Sequence, residues 1–413
     1  MRNSIESVLT RGISILSKFL LLGYLAKILS LEDYGSFQLI SYFIMISTTI
    51  FGLEYYNISN RNIVKAENKD EVYIDHLRFF YTLSPLIFIV QILVFLSLFP
   101  SELITISNIL LILIIGILDY FSQEAYRYLM INKLYRKGNV QLIYKSGFFI
   151  LLILLYEFFF SDIDFKVLLQ ILLLSYVLLF LVVYKVFSKH LFQFTFSHFK
   201  FLNYIELKKT LSVLTPFLLL IFFLKGIEFV DKFLIGKQVG LEKTGIYSFL
   251  FSMASVLGVF VISGFYIIYL PQLIANFKSD KNGFKKVFFK FSLLTIISSI
   301  VIAILIVLIS PYVFEIIDKK IMLAHIDVLY LLLIGFVLHN TSLIPHVFLY
   351  VCHDEAKISL IMGLAFMVNL VLNLFMIPKL GIMGAGYSFV ITYVVIVVFK
   401  TIRAIIKWRS VVV

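Results

Sequence analysis

Long apolar runs separated by short polar turns fill the chain, with no sustained period-two alternation. Runs of about 18 or more mostly apolar residues read as membrane-spanning helices. Twelve are expected, near residues 9–30, 34–57, 76–99, 102–130, 139–160, 165–187, 209–235, 243–270, 284–310, 322–350, 356–377 and 382–402. Each can cross about 30 Å of hydrocarbon at about 1.5 Å per residue. The fold class is therefore an all-α polytopic membrane protein.

Two of the polar turns share a spacing. In LSLEDYGSFQLI the core is Leu31-Glu32-x-x-Gly35-x-Phe37, and in VGLEKTGIYSFL it is Leu241-Glu242-x-x-Gly245-x-Tyr247, 210 residues further along. The first joins spans 1 and 2, and the second joins spans 7 and 8. Six spans precede span 7, so the two halves share one orientation and form a parallel repeat. The expected organisation is an N-terminal six-helix bundle (1–187), a cytoplasmic interfacial linker (188–208) and a C-terminal six-helix bundle (209–413), arranged around a central cavity. Glu32 and Glu242 suit the positive N-terminus of the helix that follows. Gly35 and Gly245 are expected to take a positive φ at a helix boundary. The linker region, FSKHLFQFTFSHFKFLNYIELKK over 187–209, mixes Phe with Lys and His and reads as an amphipathic segment on the inner leaflet.

Composition agrees, with 61% hydrophobic residues against about 45–50% in a soluble chain. A single cysteine, Cys352, rules out an intramolecular disulfide framework. The first apolar segment holds Arg11, Lys18 and Lys27 and lacks a small-residue cleavage site, so it is expected to remain as a span. The net charge of +12 is not spread evenly. The termini and the loops near 58–75, 131–138, 188–208, 271–283 and 351–355 carry nineteen Lys and Arg with their flanking turns. The opposite set carries Lys237, Lys243, Lys319, Lys320 and Lys379. Basic loops stay inside, which places both termini in the cytoplasm, assigns the charge to the bilayer and not to nucleic acid, and requires an even number of spans.

Ionisable residues at membrane depth are costly and should face a cavity or a partner. Lys18 falls near the centre of helix 1 with Arg11 one heptad earlier, on the same side. Helix 7 sets Lys225, Glu228 and Lys232 on one face, with Glu228 and Lys232 forming a natural ion pair. Lys18 and Glu228 are again 210 residues apart, so the halves place an ionisable group at one depth. Lys145 lies in the inner part of helix 5. Helix 4 carries Asp119, Gln123 and Arg127 at four-residue steps beside Glu124, readable as a gate, an ion-coupling site or a packing network. Glu54 ends helix 2 as a coupling candidate. His339 and His346, seven apart on one face of helix 10, are too few for a metal site; His339, near mid-membrane, reads as a hydrogen-bonded packing histidine, with titration near neutral pH as the alternative.

Three stretches resemble the Wzx-type polysaccharide (O-antigen) flippases, of the superfamily that includes the MATE exporters and MurJ. The first is ILSLEDYGSFQLI. The second is DKFLIGKQVGLEKTGIYSF, with Asp231, Lys232, Gly236, Gly240, Gly245 and Tyr247. The third is NLVLNLFMIPKLGIMGAGYSF, with Asn369, Asn373, Pro378, Gly381, Gly384 and Ala385. Pro378 and Gly381 are expected to stop helix 11, Gly384 to let helix 12 pack closely, and Asn369 and Asn373 to bond a neighbouring helix. The resemblance implies a secondary transporter of the bacterial inner membrane that flips undecaprenyl-diphosphate-linked oligosaccharide from the cytoplasmic to the outer leaflet by alternating access. It implies no cofactor, coupling to H+ or Na+, and other polysaccharide-assembly proteins as partners.

Under that reading Lys18, Lys145, Lys225, Arg11 and Lys232 form the diphosphate and sugar cavity. Glu54, Asp119, Arg127 and Glu228 serve coupling or gating. A buried diphosphate needs such compensating charge. Two rivals stand beside it. A cation-coupled multidrug exporter of the same fold would want acidic cavity residues. A membrane-embedded polymerase or glycosyltransferase would want a large extracytoplasmic loop, and the outward loops here are short.

Overall fold

The computed structural model describes residues 17, 19–53, 55–56, 59, 69–160, 162–188 and 201–411. Among these there is no strand, and each of the twelve expected segments contains a helix. They are α1 (Phe19–Ile28), α2 (Leu31–Gly52), α3 (Lys69–Leu98), α4 (Ile106–Ile131), α5 (Tyr135–Phe159) and α6 (Phe165–Ser188). Then follow α7 (Tyr204–Gln238), α8 (Leu241–Phe277), α9 (Lys281–Ile316), α10 (Ile326–Val351), α11 (Glu355–Leu380) and α12 (Ile382–Val411). Ten of the described helices are long and apolar enough to cross a membrane, eleven with the bent α7. The protein is a multi-pass membrane protein. Much of the expected interfacial linker lies outside the described residues.

Most helices overrun the apolar windows that located them. Hydropathy reports the hydrocarbon depth, but a helix continues until a side chain caps it. Asp280 caps α9 by accepting from the amides of Asn282 and Gly283, which adds a polar first turn. Ser30 caps α2, its hydroxyl accepting from the Asp33 amide at 3.0 Å. Thr105 does the same for α4 through Asn108.

Two expectations at the helix ends need correcting. Gly35 and Gly245 lie inside the second helix of each pair, buried and without positive φ. The left-handed turn before α8 is made by Gly240, at φ 113°. Pro378 does not end α11 but sits in its last turn, and Gly381 terminates the helix at φ 58°. Pro85, Pro271, Pro311 and Pro345 are also inside helices. Within a membrane, neighbouring helices and local adjustments compensate the lost backbone bond. Ahead of Pro271, α8 opens into a π turn at Ile262–Tyr266.

The chain divides into two compact units, Met1–Leu218 and Leu219–Val413. The first packs aromatic rings: Phe51, Phe79, Phe80, Leu83, Ile87, Tyr120 and Leu214 form one buried cluster, in which Phe80 stacks on Tyr120 at 4.5 Å. The second packs α10 against α12 in parallel register. Contacts advance together along both helices, Phe336 on Phe389 (5.3 Å), His339 on Tyr393 (5.2 Å) and Phe348 on Trp408 (4.9 Å). Small residues permit this closeness. A Cβ on Gly384 would stand 2.3 Å from the carbonyl oxygen of Met376, so α11 and α12 meet backbone to backbone there. Outward rows such as Ile297, Val301, Ile304 and Leu308 on α9 are exposed, as a lipid-facing surface requires.

The turn between α10 and α11 is tied to α12 by a two-pronged ion pair. Arg403 Nε donates to Asp354 Oδ2 at 2.6 Å and Nη2 donates to Oδ1 at 3.1 Å. This hydrogen bonding holds the Asp354 carboxyl below its ordinary value.

Two predictions follow from the packing. Gly384→Leu should destabilise the protein by about 1–3 kcal/mol in thermal unfolding in detergent. Gly147→Ala, where a Cβ meets nothing within 4 Å, should be neutral or slightly stabilising. Because the folded Asp354 pKa is depressed, its contribution is complete above the unfolded value of about 3.9 and disappears as pH falls through the folded value. Melting curves of wild type and Asp354→Asn should therefore differ near neutral pH and converge in acid.

Candidate functional site

In the N-terminal unit the charges converge on Asp119. Its Oδ2 accepts from Thr48 Oγ1 of α2 at 2.9 Å and from Gln123 Nε2 at 3.1 Å. Its Oδ1 pairs with Lys145 of α5. The Lys145 ammonium also lies 5.7 Å from the Tyr176 ring of α6. One buried carboxylate thus joins α2, α4 and α5, and the lysine extends the network to α6. Lys145 keeps 32% of its side chain exposed, while Asp119 keeps 5%. One turn on, Arg127 pairs with buried Glu124 and lies over the Tyr56 ring at 4.0 Å. The polar stripe of α4 is therefore a paired network.

The C-terminal unit gathers its charges on α7. Lys225 Nζ donates to Glu228 Oε2 at 2.8 Å, with the side chains 27% and 40% exposed. Lys232 has none of its side chain exposed. Its ammonium donates to the Glu228 carbonyl at 2.6 Å and to Asp231 Oδ1 at 3.1 Å, and lies 3.3 Å from the Phe251 ring centroid. Tyr247 donates from its hydroxyl to Asp231 Oδ2 at 2.6 Å. The ion pair expected between Glu228 and Lys232 is replaced by two others: Glu228 takes Lys225, and Lys232 takes Asp231. The reason is reach, since Asp231 sits inside the α7–α8 contact where Tyr247 fixes it.

The signature asparagines bond as expected. Asn369 Nδ2 donates to Thr392 Oγ1 of α12 at 3.0 Å, and Asn373 Nδ2 donates to Asn369 Oδ1 at 3.1 Å. They tie α11 to α12 through buried polar atoms. Among the described residues, no group of three His, Cys, Asp or Glu is placed to hold a metal.

The structure thus brings Asp119 together with Lys145, and Lys225 together with Glu228, each within one unit. It encloses Lys232, whose side chain offers no surface to a solute. Arg11, Lys18 and Glu54 lie outside the described residues. Sequence reading missed Thr48, Tyr56 and the aromatic cage of Lys232, whose hydroxyls and rings carry no signal until the helices are packed. It also passed over Lys400, a lysine that looks like one more cation flanking the basic end of α12.

No protein-family model matches the chain. No curated protein matches it. Solved structures do. An inward-facing MATE multidrug resistance transporter of the MOP superfamily superposes with TM-score 0.70 at 14% identity, covering 95% of this chain and 94% of that one. The lipid II flippase MurJ, in an inward closed conformation, gives 0.74 at 15% identity, covering 97% and 87%. A MOP superfamily transporter from Pyrococcus furiosus, described by a binding pocket of reversed polarity that suggests a different function, gives 0.61 at 14% identity, covering 98% and 94%. The chain has the fold of the MATE and MurJ transporters.

The Asp119 network is open to a double-mutant test. Asp119→Asn and Lys145→Met should each lower thermal stability, Asp119→Asn the more because three donors lose their anion. Their coupling should be about 0.5–3 kcal/mol in a cycle read by unfolding in detergent.

Proposed function

We propose that the protein is a flippase. Its substrate is a polyprenyl-diphosphate-linked oligosaccharide, moved from the cytoplasmic to the outer leaflet of the bacterial inner membrane for surface polysaccharide assembly. Undecaprenyl is the polyprenol and O-antigen the product class that the sequence resemblance favours. The supporting observation is the state of Lys145 and Lys225. Each lies within an apolar helix, each is partly open, and each is held by one carboxylate.

Such a lysine is positioned and exchangeable. A diphosphate entering hydrocarbon unpaired meets a desolvation penalty of many kcal/mol. A lysine serves it as a compact point charge that a carboxylate has kept in place. The polyprenyl tail needs no pathway, because it is as apolar as the lipid. The two units act as the halves of an alternating-access transporter, driven by proton or sodium entry in the opposite direction.

One observation favours a second reading. Glu228 is more open than its partner Lys225, and an accessible carboxylate suits the cationic substrate of a multidrug exporter. Flipping of a fluorescent polyprenyl-diphosphate-linked sugar in proteoliposomes separates the two. Wild type should flip it and ignore a cationic dye. Lys225→Ala and Lys145→Ala should each slow flipping about tenfold or more, the worth of one charge-assisted contact. Dye transport lost in Glu228→Gln, with no lipid flipping in wild type, would establish the exporter instead.

A further inference from the structure

The C-terminal unit also holds a group of bases to which the flippase reading gives no role. Lys400 of α12 is 4% exposed. Among the described residues no carboxylate pairs with it and its ammonium makes no hydrogen bond. Lys145, Lys225 and Lys232, by contrast, each have an anion. The register of α10 on α12 identifies what Lys400 faces. His339 contacts Tyr393 edge to face, and one heptad further along each helix lie His346 and Lys400, the lysine acting electrostatically on the imidazole. The charge of Lys400 acts on both imidazoles, and the histidines act on each other.

Two details show these imidazoles poised as bases. Asn340 donates from Nδ2 to the Leu257 carbonyl at 3.2 Å and to Ser299 Oγ at 2.9 Å, which fixes the amide with Oδ1 toward His339. His339 Nδ1 lies 3.2 Å from that oxygen, so it carries the hydrogen and Nε2 keeps the lone pair. His346 Nδ1 is buried with no hydrogen-bond partner. The surrounding helices supply little countercharge. Glu228 of α7 reaches His339 electrostatically, and Glu228 with Asp231 reaches Tyr393. α8, α9 and α11 carry carboxylates only at their ends, as Glu242, Glu315 and Glu355. The Asp354–Arg403 pair closes the basic end of α12.

We propose that His339, His346 and Lys400 form a proton-binding site that holds one proton among three bases and couples the C-terminal unit to a proton gradient. Two ammonium or imidazolium charges side by side in a low-dielectric interior repel strongly, so protonation of one base opposes protonation of the next. A single proton can occupy any of the three lone pairs, and no bond other than N–H forms or breaks. The arrangement runs from the neighbourhood of Glu228 toward the basic end of α12. It therefore suits release of a proton at that end. The coupling step rests on the transporter reading, whereas the proton site stands without it.

Nitrogen-15 NMR of histidine-labelled protein in nanodiscs tests the site directly, with Gln variants assigning two of the seven histidines. Wild-type His339 and His346 should titrate as a coupled pair, and Lys400→Met should move both midpoints by about one pH unit. His346→Gln should move the midpoint of His339. Histidines that do not titrate over about pH 5 to 9, or midpoints indifferent to Lys400→Met, would make the cluster inert packing. Proteoliposomes test the coupling. Lys400→Met and His346→Gln should keep downhill flipping of the diphosphate-linked lipid and lose its acceleration by a pH gradient. Acceleration retained in both variants overturns the coupling. Absence of flipping in wild type at any pH overturns the flippase reading and leaves the NMR result to decide the site.

Discussion

Charge inside an apolar helix is the constraint on which the described structure depends. A lysine or aspartate at membrane depth carries a desolvation penalty of several kcal/mol unless a partner meets it. The units meet that demand internally. Asp119 takes three donors, Lys232 takes Asp231 and a ring of aromatics, and Glu124 takes Arg127. Because the Asp119 network joins α2, α4 and α5 and the Asp231 network joins α7 to α8, satisfying the charge also fixes how those helices pack. Between helices equally apolar to lipid there is little hydrophobic drive to associate. Polar contacts and close small-residue packing, as at Gly384 against Met376, take over that work.

The helices were legible from hydropathy alone, since a bilayer imposes a length that a sequence must display. Helix starts were partly legible: the acidic first turns of α2 and α8 are where the sequence suggests, while the Ser30 cap emerges only from the structure. What misled was the assumption that a glycine near a turn must serve the turn. Gly35 and Gly245 are helical and buried, and Gly240 bears the strained angle. Pairing was legible only by neighbourhood. Spacing along α7 suggested Glu228 with Lys232, but spacing cannot see Tyr247 arriving from α8 to fix Asp231 as the better anion. Lys400 was invisible for a related reason. A lysine close to Arg403, Lys407 and Arg409 reads as a flank, and only the packing of α10 on α12 shows it enclosed.

Fold and substrate are separate questions here. At 14–15% identity, the likeness to a MATE transporter and to MurJ describes a scaffold. The Pyrococcus furiosus structure, of the same fold, is described by a pocket of reversed polarity that suggests a different function. Specificity must then come from which ionisable groups a chain places at membrane depth and how tightly it occupies them.

Occupancy sorts the cations of this chain. Lys232 is enclosed, with its donors engaged by oxygen and ring faces, so removing it from Asp231 would strand a buried carboxylate; it serves packing. Lys145 and Lys225 are each partly open and held by one carboxylate, which is the state on which the flippase reading rests. Lys400 is buried and, among the described residues, has no paired anion. The same residue type thus meets three degrees of countercharge among the described residues, and that difference is what the proposed roles are built on.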